Sequence, residues 1–236
     1  MTQTNERPIL FSASMVQAIL KQRKTQTRRV VKLPNTPWMP EAVEEWRFSE
    51  CFVSLENSNN YVAAFHKLSL QEIVKCPYGK PGDLLWVRET YAAPHDCDHL
   101  KPREIPKGKR IHYAATEERG GLLWRPSIFL PRWASRISLK IADIRVERLQ
   151  EISEDDARAE GLKGMTKDGS LVKYGIPDND GLPGGDDHGW HWQQWESDPR
   201  RAFRGLWESV NGVGSWDKNP LVWVVDFCPL GQEGQP

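Results

Sequence analysis

The stretch KQRKTQTRRVV (residues 21–31) joins a predicted helix to a predicted strand. Apolar side chains before it recur at helical spacing and predict a helix that ends near Gln22. From Thr25 onward, side-chain types alternate with a period of two, which predicts a strand that carries Thr27 on one face. Lys24 would then lie at the junction of the helix and the strand.

This stretch is also where positive charge is concentrated. The whole chain has 32 Lys and Arg residues and 32 Asp and Glu residues, so its net charge is zero. From spacing alone, a basic turn exposed to solvent between a helix and a strand is the favoured explanation of the local charge, and an active site that uses these residues is the alternative. The basic residues of this region are Lys21, Arg23, Lys24, Arg28, Arg29 and Lys32.

Lys24 and Thr27 lie three positions apart, which allows an amine to accept a proton from a hydroxyl if the backbone turns the two together. A neighbouring base is what makes a threonine hydroxyl a useful nucleophile. A lysine acts as that base only when burial or nearby cations lower its pKa. Arg23, Arg28 and Arg29 are candidates for those cations.

The composition is typical of a globular protein, with 236 residues, 27% charged and 39% hydrophobic. No apolar run is long enough to span a bilayer, and residues 1–6 lack the features of a signal peptide, so we expect a cytoplasmic protein without membrane contact. Four cysteines form no CxxC pair and are expected to be reduced thiols. Eleven tryptophans are unusual, and some could line a site for a planar ligand.

Three further acidic or basic residues are candidates for a site. Arg88 and Glu89 lie at the end of a predicted core strand that starts after the turn at 81–83. There the Glu89 carboxylate could point into a pocket or, equally, pair with neighbours of Arg88 on the surface. Glu160 is predicted to be the last residue of a helix that Ser153 caps and Gly161 ends. Before that helix, apolar residues alternate over 137–146 with a break at Asp143, which predicts a long strand or a pair of strands.

A further helix is predicted near the end of the chain. Asp198 is the expected cap and Pro199 lies in the first turn. One face of this helix is apolar and carries Ala202, Phe203, Leu206, Trp207 and Val210.

Residues 95–99 place five potential metal ligands next to one another, in the order His, Asp, Cys, Asp, His. Their spacing matches no zinc signature, so we predict neither a metal ion nor another cofactor. Residues 163–197 are rich in Gly and Asp and contain three closely spaced tryptophans. A segment this long, with such residues, is expected to be a lid or a docking surface.

The order of these motifs resembles the ASCH domain family, which consists of small β-barrels of the PUA-like superfamily associated with RNA and modified nucleosides. Residues 7–11 (RPILF) and 25–29 (TQTRR) are similar to the long phage and prophage members. The resemblance covers residues 7–32, 77–92, 127–161 and 199–229. It implies an α+β fold, a β-barrel with flanking helices, as a single domain over 7–229, with insertions at about 33–76, 93–126 and 162–197 and tails at 1–6 and 231–236. Gln22 departs from the family, which usually has Gly there.

One bacterial branch of this family hydrolyses N4-acetylcytidine with a Lys, a Thr three positions later and a distant Glu. Lys24, Thr27 and Glu160 match these three, Glu160 by its place after the alternating strand. The resemblance therefore implies an amidohydrolase in which Lys24 deprotonates Thr27, Thr27 attacks an acetyl carbonyl, and Glu160 passes the proton to the leaving amine. It needs no metal.

Two other functions remain open at this stage. One is a non-catalytic RNA- or DNA-binding module whose basic residues contact phosphates, and the other is a ribonuclease of the ASCH type. In all three cases the expected partner is a modified nucleoside or a nucleic acid. The candidate contacts to it are Arg23, Arg28, Arg29, Arg88 and Glu89. The sequence does not indicate an oligomeric state.

Overall fold

A computed structural model describes residues 4–32, 47–54, 60–67, 70–117, 120–185 and 188–230. It is a mixed α+β structure with many strands and few helices. The helices are α1 (Ala13–Leu20), α2 (Glu154–Ala159) and α3 (Pro199–Asn211). The strands are β1 (Glu6–Leu10), β2 (Gln26–Val30), β3 (Arg47–Ser54), β4 (Asn60–Lys67), β5 (Leu70–Lys75), β6 (Leu84–Arg88), β7 (Tyr91–Ala92), β8 (His112–Tyr113), β9 (Trp124–Arg125), β10 (Ser138–Arg148), β11 (Lys163–Met165), β12 (Lys173–Gly175) and β13 (Leu221–Pro229).

The central sheet has five strands in the order β1-β6-β10-β13-β2. β1 pairs parallel to β6, and the other neighbours are antiparallel. Within the described ranges, neither this sheet nor the smaller ones close into a barrel. The α+β class expected from the sequence is therefore confirmed, and β2 is an edge strand.

The helix, turn and strand around residues 21–31 are confirmed. α1 buries most of its side chains, and β2 starts at Gln26 after a turn. Gln22 has a φ of 57°, the left-handed conformation in which a side chain is disfavoured. The turn thus keeps the backbone geometry that a glycine would favour, although this chain has glutamine there.

The core is built on the two longest strands of the central sheet. β13 has five consecutive buried residues, from Leu221 to Val225, as expected for a strand covered on both faces. β10 matches the predicted alternating strand, and its pairing with β13 shifts register between Ile141 and Asp143. The break predicted at Asp143 is therefore a bulge in the middle of one strand.

Both later helices begin where the sequence predicts. The Ser153 side chain accepts a hydrogen bond from the Asp156 backbone at 3.1 Å, and Asp198 caps α3 with Pro199 in its first turn. Glu160 differs by one position from the prediction, since α2 ends at Ala159 and Glu160 is its C-cap. That difference places the Glu160 backbone where it pairs with a neighbouring segment.

The predicted insertions contain small sheets. β3, β4 and β5 form an antiparallel meander, β7 pairs with β8 and β9, and β11 pairs with β12. Residues 33–46, with their three prolines, lie outside the described residues. In the Trp-rich insertion, Trp195 is buried and packs on Gly175, so at least one of its tryptophans is structural. No helix in the described part has the length and apolarity to cross a bilayer.

We expect Gln22→Gly to raise the free energy of unfolding by about 1 kcal/mol, because glycine adopts a positive φ without the steric cost of a Cβ atom. Gln22→Ala keeps the Cβ atom and is the matched control, for which we expect little change. Urea unfolding measures both. An equal effect of the two substitutions would show that the side chain, rather than the backbone conformation, limits stability at this turn.

Candidate functional site

A buried ion pair joins the turn after α1 to the end of α2. Lys24 Nζ donates hydrogen bonds to Glu160 Oε2 at 2.6 Å and to the Glu160 carbonyl at 2.8 Å. The side chains of Lys24 and Glu160 are 2% and 4% exposed. Their backbones form an isolated antiparallel bridge, and the Thr25 N–H donates to the Ala159 carbonyl at 2.9 Å. Two residues 136 positions apart are thus held together by backbone and side-chain contacts.

Gly161 makes this close approach possible. Its φ is +107°, and a Cβ atom at this position would lie 2.9 Å from Ala18 Cβ and 3.2 Å from Lys24 Cβ. Both distances are shorter than ordinary contacts between carbon atoms. The glycine therefore has two roles, since it ends α2 and it leaves room for Lys24 and α1 to pack against that end.

Thr27 lines the same small cavity as this ion pair. The cavity has a volume of about 50 Å³, enough for a few waters or a small acyl group. Thr27 is 2% exposed, and its hydroxyl makes no hydrogen bond to another residue of the described ranges. One wall is polar and charged, and the other is apolar and comes largely from α3. The lining residues are Phe11, Met15, Lys24, Thr27, Arg28, Arg29, Glu160, Phe203, Leu206, Trp207, Val210 and Asn211.

The surroundings of Lys24 lower the pKa of its ammonium group. Burial lowers the pKa of the Lys24 ammonium below its ordinary value; the carboxylate of Glu160 opposes that change, and the guanidinium groups of Arg29 and Arg28 add to it. The ammonium also lies 5.6 Å from the centre of the Phe11 ring. A lowered pKa is one property that a general base requires, and Lys24 lines the same cavity as the Thr27 hydroxyl.

Arg28 is fully buried among carboxylates. Its side chain contacts Glu147 Oε1, Asp156 Oδ2 at 3.1 Å and Glu160 Oε1 at 3.3 Å, and it also bonds the Gln26 side chain. Phe203 of α3 covers it, with the guanidinium carbon 5.8 Å from the ring centre. Arg28 therefore orients Glu160 from the side opposite Lys24, and its charge is already neutralised within the protein.

A second layer of charged groups supports Arg28. Arg145 contacts Asp156 at 2.9 Å and Asp226 at 2.7 Å, and Gln26 donates to both of those carboxylates. Burial raises the pKa of Asp156, but the hydrogen bond from Gln26 and the charges of Arg28 and Arg145 together lower it below its ordinary value. The cluster links β2, β10, β13 and α2.

The sequence did not identify this layer, although one signal was present. Arg145 and Glu147 lie two positions apart on β10, on the face opposite the apolar residues Ile144 and Val146. A charged pair on one face of a strand is ordinarily exposed to solvent, so the pattern alone does not show that the face is covered. The apolar side of α3 was predicted as a helix face but not as the wall of a cavity.

Among the described residues, Arg29 is the cation of the cavity lining whose side chain is not paired with a carboxylate. Its Nη2 donates to the Leu10 carbonyl at 2.7 Å, and its guanidinium lies 5.3 Å from the centre of the Phe11 ring. No ion pair joins it to a carboxylate of the described ranges. Its other N–H groups are therefore free to contact a bound molecule.

Three of the candidate residues lie outside the lining of this cavity. Arg88 stacks on Trp86, with its guanidinium carbon 4.5 Å from the ring centre. Glu89 is 1% exposed and accepts two hydrogen bonds of 2.8 Å from Arg136. Arg23 is partly buried beside the turn and does not line the cavity. The structure thus brings together Lys24, Thr27, Arg28, Arg29 and Glu160 and places Arg23, Arg88 and Glu89 elsewhere.

Residues 95–99 form no cluster of metal ligands. His95 pairs with Asp98 at 3.2 Å, and Asp96 pairs with Lys109 at 2.5 Å. Across the described ranges, no group of three or more His, Cys, Asp and Glu residues is arranged to hold a metal ion.

Comparison of the chain with protein-family models, with curated proteins and with solved structures finds no match.

We expect Gly161→Ala to lower the free energy of unfolding by about 2–4 kcal/mol, because the new methyl group meets both Ala18 and Lys24 in a conformation that already disfavours alanine. Gly169→Ala is the matched control. Its φ of +80° is also positive, but no atom lies within 4 Å of the added Cβ, so we expect a loss of about 1 kcal/mol. Equal losses in urea unfolding would contradict the close packing at Gly161.

Proposed function

We propose that this chain is an amidohydrolase that removes an acyl group from the exocyclic amine of a modified nucleobase or nucleoside, such as N4-acetylcytidine. The observation that carries the proposal is the buried Lys24–Glu160 pair at the cavity lined by Thr27. A base with a lowered pKa, a hydroxyl and a carboxyl group are the types of group that acyl transfer to an activated threonine uses.

The proposed reaction has two steps. Neutral Lys24 takes the proton of the Thr27 hydroxyl as Oγ1 attacks the acyl carbon, and an ester to Thr27 forms as the C–N bond breaks. The proton passes from Lys24 across the 2.6 Å hydrogen bond to Glu160 and then to the leaving nitrogen of the base. A water molecule then hydrolyses the ester, releases the carboxylic acid and restores the hydroxyl.

Arg29 is the better candidate than Arg28 for stabilising the oxyanion. The donors of Arg28 are bonded to three carboxylates and to Gln26, whereas Arg29 donates to one backbone carbonyl. A donor held in place before the reaction stabilises the negative charge that develops on the acyl oxygen. In this arrangement Arg28 keeps Glu160 in position.

The size and walls of the cavity support a small acyl group. About 50 Å³ is too little for a whole nucleoside, so the acyl group would enter while the base stays at the opening. The apolar wall from Phe203, Leu206 and Trp207 suits a methyl group and the flat face of a base. An acetyl group on a pyrimidine amine is small enough for the cavity, and its methyl group and the flat base both suit the apolar wall.

We also propose a family for this chain and the compartment in which it acts. We infer from the order of motifs that the chain is an ASCH-type member of the PUA-like superfamily, with the central sheet corresponding to part of that family's small β-barrel. The placement of the Lys-x-x-Thr motif at a helix-to-strand turn supports this. The cytoplasm, expected from the sequence, is where we propose that the reaction takes place.

The burial of Lys24 and Arg28 favours the hydrolase over a module that binds phosphates with the same residues. Both cations are 3% exposed or less and are paired with carboxylates. A phosphate contact would require those pairs to open. For the same reason, a ribonuclease that uses these two residues to hold a phosphate is less well supported.

We expect the purified protein to convert N4-acetylcytidine to cytidine and acetate, and Thr27→Ala to lower kcat at least about 10³-fold by removing the nucleophile. Chromatography of the nucleosides measures both. Thr25→Ala is the matched control. Thr25 lies two positions before Thr27 and is exposed, and among the described residues only its backbone forms hydrogen bonds. We expect it to retain activity.

The outcomes of this experiment separate the alternatives. Turnover that persists in Thr27→Ala would remove Thr27 as the nucleophile. Absence of turnover in the wild-type protein, with binding of RNA that falls steeply as salt rises, would support the nucleic-acid-binding module instead. Cleavage of the RNA would support the ribonuclease.

We expect kcat/KM to rise with pH and to level off at a pH below the ordinary pKa of a lysine, because deprotonation of Lys24 generates the base. Arg29→Gln removes a cation that lowers this pKa and should move the rising limb to higher pH. Lys32→Gln removes an exposed charge after the same strand and should leave the limb in place. An unchanged limb in Arg29→Gln would argue against Lys24 as the titrating group.

A further inference from the structure

α3 separates two cavities. Its inner side, with Phe203, Leu206 and Trp207, forms the apolar wall of the cavity at Thr27. Its outer side carries Arg200, Arg201 and Arg204, which are exposed and line a second cavity. The spacing of Arg200 and Arg204 puts them one helical turn apart on the same face.

The second cavity is larger and has a cationic wall. Its volume is about 250 Å³, several times that of the cavity at Thr27. The one carboxylate in its lining is Asp198, the N-cap of α3. The lining residues are Gln150, Asp198, Arg200, Arg201, Arg204 and Trp216.

The arginines of this cavity are available to a ligand. Arg200 lies 3.6 Å from Asp198, and Arg204 lies 3.7 Å from Glu208 and 3.4 Å from Asp217, so their ion pairs are long and exposed to solvent. Pairs of this kind contribute little stability and exchange readily. Arg201 makes no ion pair with any residue of the described ranges. This contrasts with Arg28, whose charge is fully neutralised.

Trp216 adds an aromatic ring to the cationic wall. It is half-buried and packs edge-on against Phe203, with ring centres 6.2 Å apart. Its carbonyl accepts a hydrogen bond from Gln150 Nε2 at 3.0 Å. The ring is therefore held in place before any ligand binds, which lowers the entropy that binding costs.

We propose that this second cavity binds single-stranded nucleic acid, with phosphates on Arg201 and Arg204 and a base against Trp216. Arginine forms charge-assisted bonds with phosphate oxygens, and an aromatic ring beside a basic groove stacks on any base. A polynucleotide held on the outer side of α3 could extend to the cavity on its inner side. The idea that a polynucleotide is the substrate of the inner cavity rests on the proposed function. The binding of nucleic acid to the second cavity does not.

The test is fluorescence anisotropy of a labelled 12-nucleotide oligouridine RNA, titrated with the full chain at several potassium chloride concentrations. We expect Arg201→Ala/Arg204→Ala to weaken binding at least about 10-fold at low salt and to reduce the slope of log affinity against log salt by about 1.4, for two lost phosphate contacts. We also expect Trp216→Ala to weaken binding without changing that slope. Arg103→Ala/Arg110→Ala is the matched control, because it removes the same charge from exposed positions outside α3 and the second cavity.

Each result supports or overturns the inference without reference to turnover. The inference is supported if RNA binding is weakened by Arg201→Ala/Arg204→Ala and by Trp216→Ala but not by the control variant. This holds even when no acetylated nucleoside is hydrolysed. An equal loss of RNA affinity in the Arg103→Ala/Arg110→Ala control would show that the binding is non-specific electrostatic attraction, which would overturn the inference. Absence of RNA binding at 50 mM salt would overturn it as well, including the case in which inorganic phosphate alone binds.

Discussion

The buried pair of Lys24 and Glu160 is the interaction on which the arrangement of the site depends. Two charges removed from water carry a large desolvation cost, which close contact and further hydrogen bonds must offset. Here the offset comes from the 2.6 Å bond, from the Glu160 carbonyl and from Arg28 on the other carboxylate oxygen. Loss of either partner would leave a charge buried without compensation, so the turn after α1 and the end of α2 are fixed relative to each other.

Arg28 extends this constraint across the fold. Its contacts with carboxylates from β10 and α2, and those of Arg145 with α2 and β13, tie these three elements to the edge strand β2. An edge strand is otherwise held by one neighbour only. Lys24 and Arg28, from the basic stretch at residues 21–31, are therefore paired with carboxylates inside the protein. Arg29 is the basic residue of that stretch that could contact a molecule bound in the cavity.

α3 connects the proposed chemistry with the proposed binding surface. Its apolar residues complete the cavity over Thr27 and cover Arg28, and its arginines face a larger cavity on the other side. Phe203 touches both sides, since it lies near the guanidinium of Arg28 and packs against Trp216. A ligand that stacks on Trp216 would therefore also restrain the wall of the inner cavity.

The sequence by itself determined the local structure: the helix, the turn and the strand around Lys24, the capped helices at Ser153 and Asp198, and the long strand with its break at Asp143. These follow from side-chain spacing and capping, which act over a few residues. It also suggested Lys24, Thr27 and Glu160 as a set through motif order. The tertiary structure alone decided that Glu160 meets Lys24, that Arg28 is neutralised rather than exposed, and that Arg23, Arg88 and Glu89 lie elsewhere. Those outcomes depend on contacts between residues distant in the sequence and on which faces other elements cover. Local patterns encode neither.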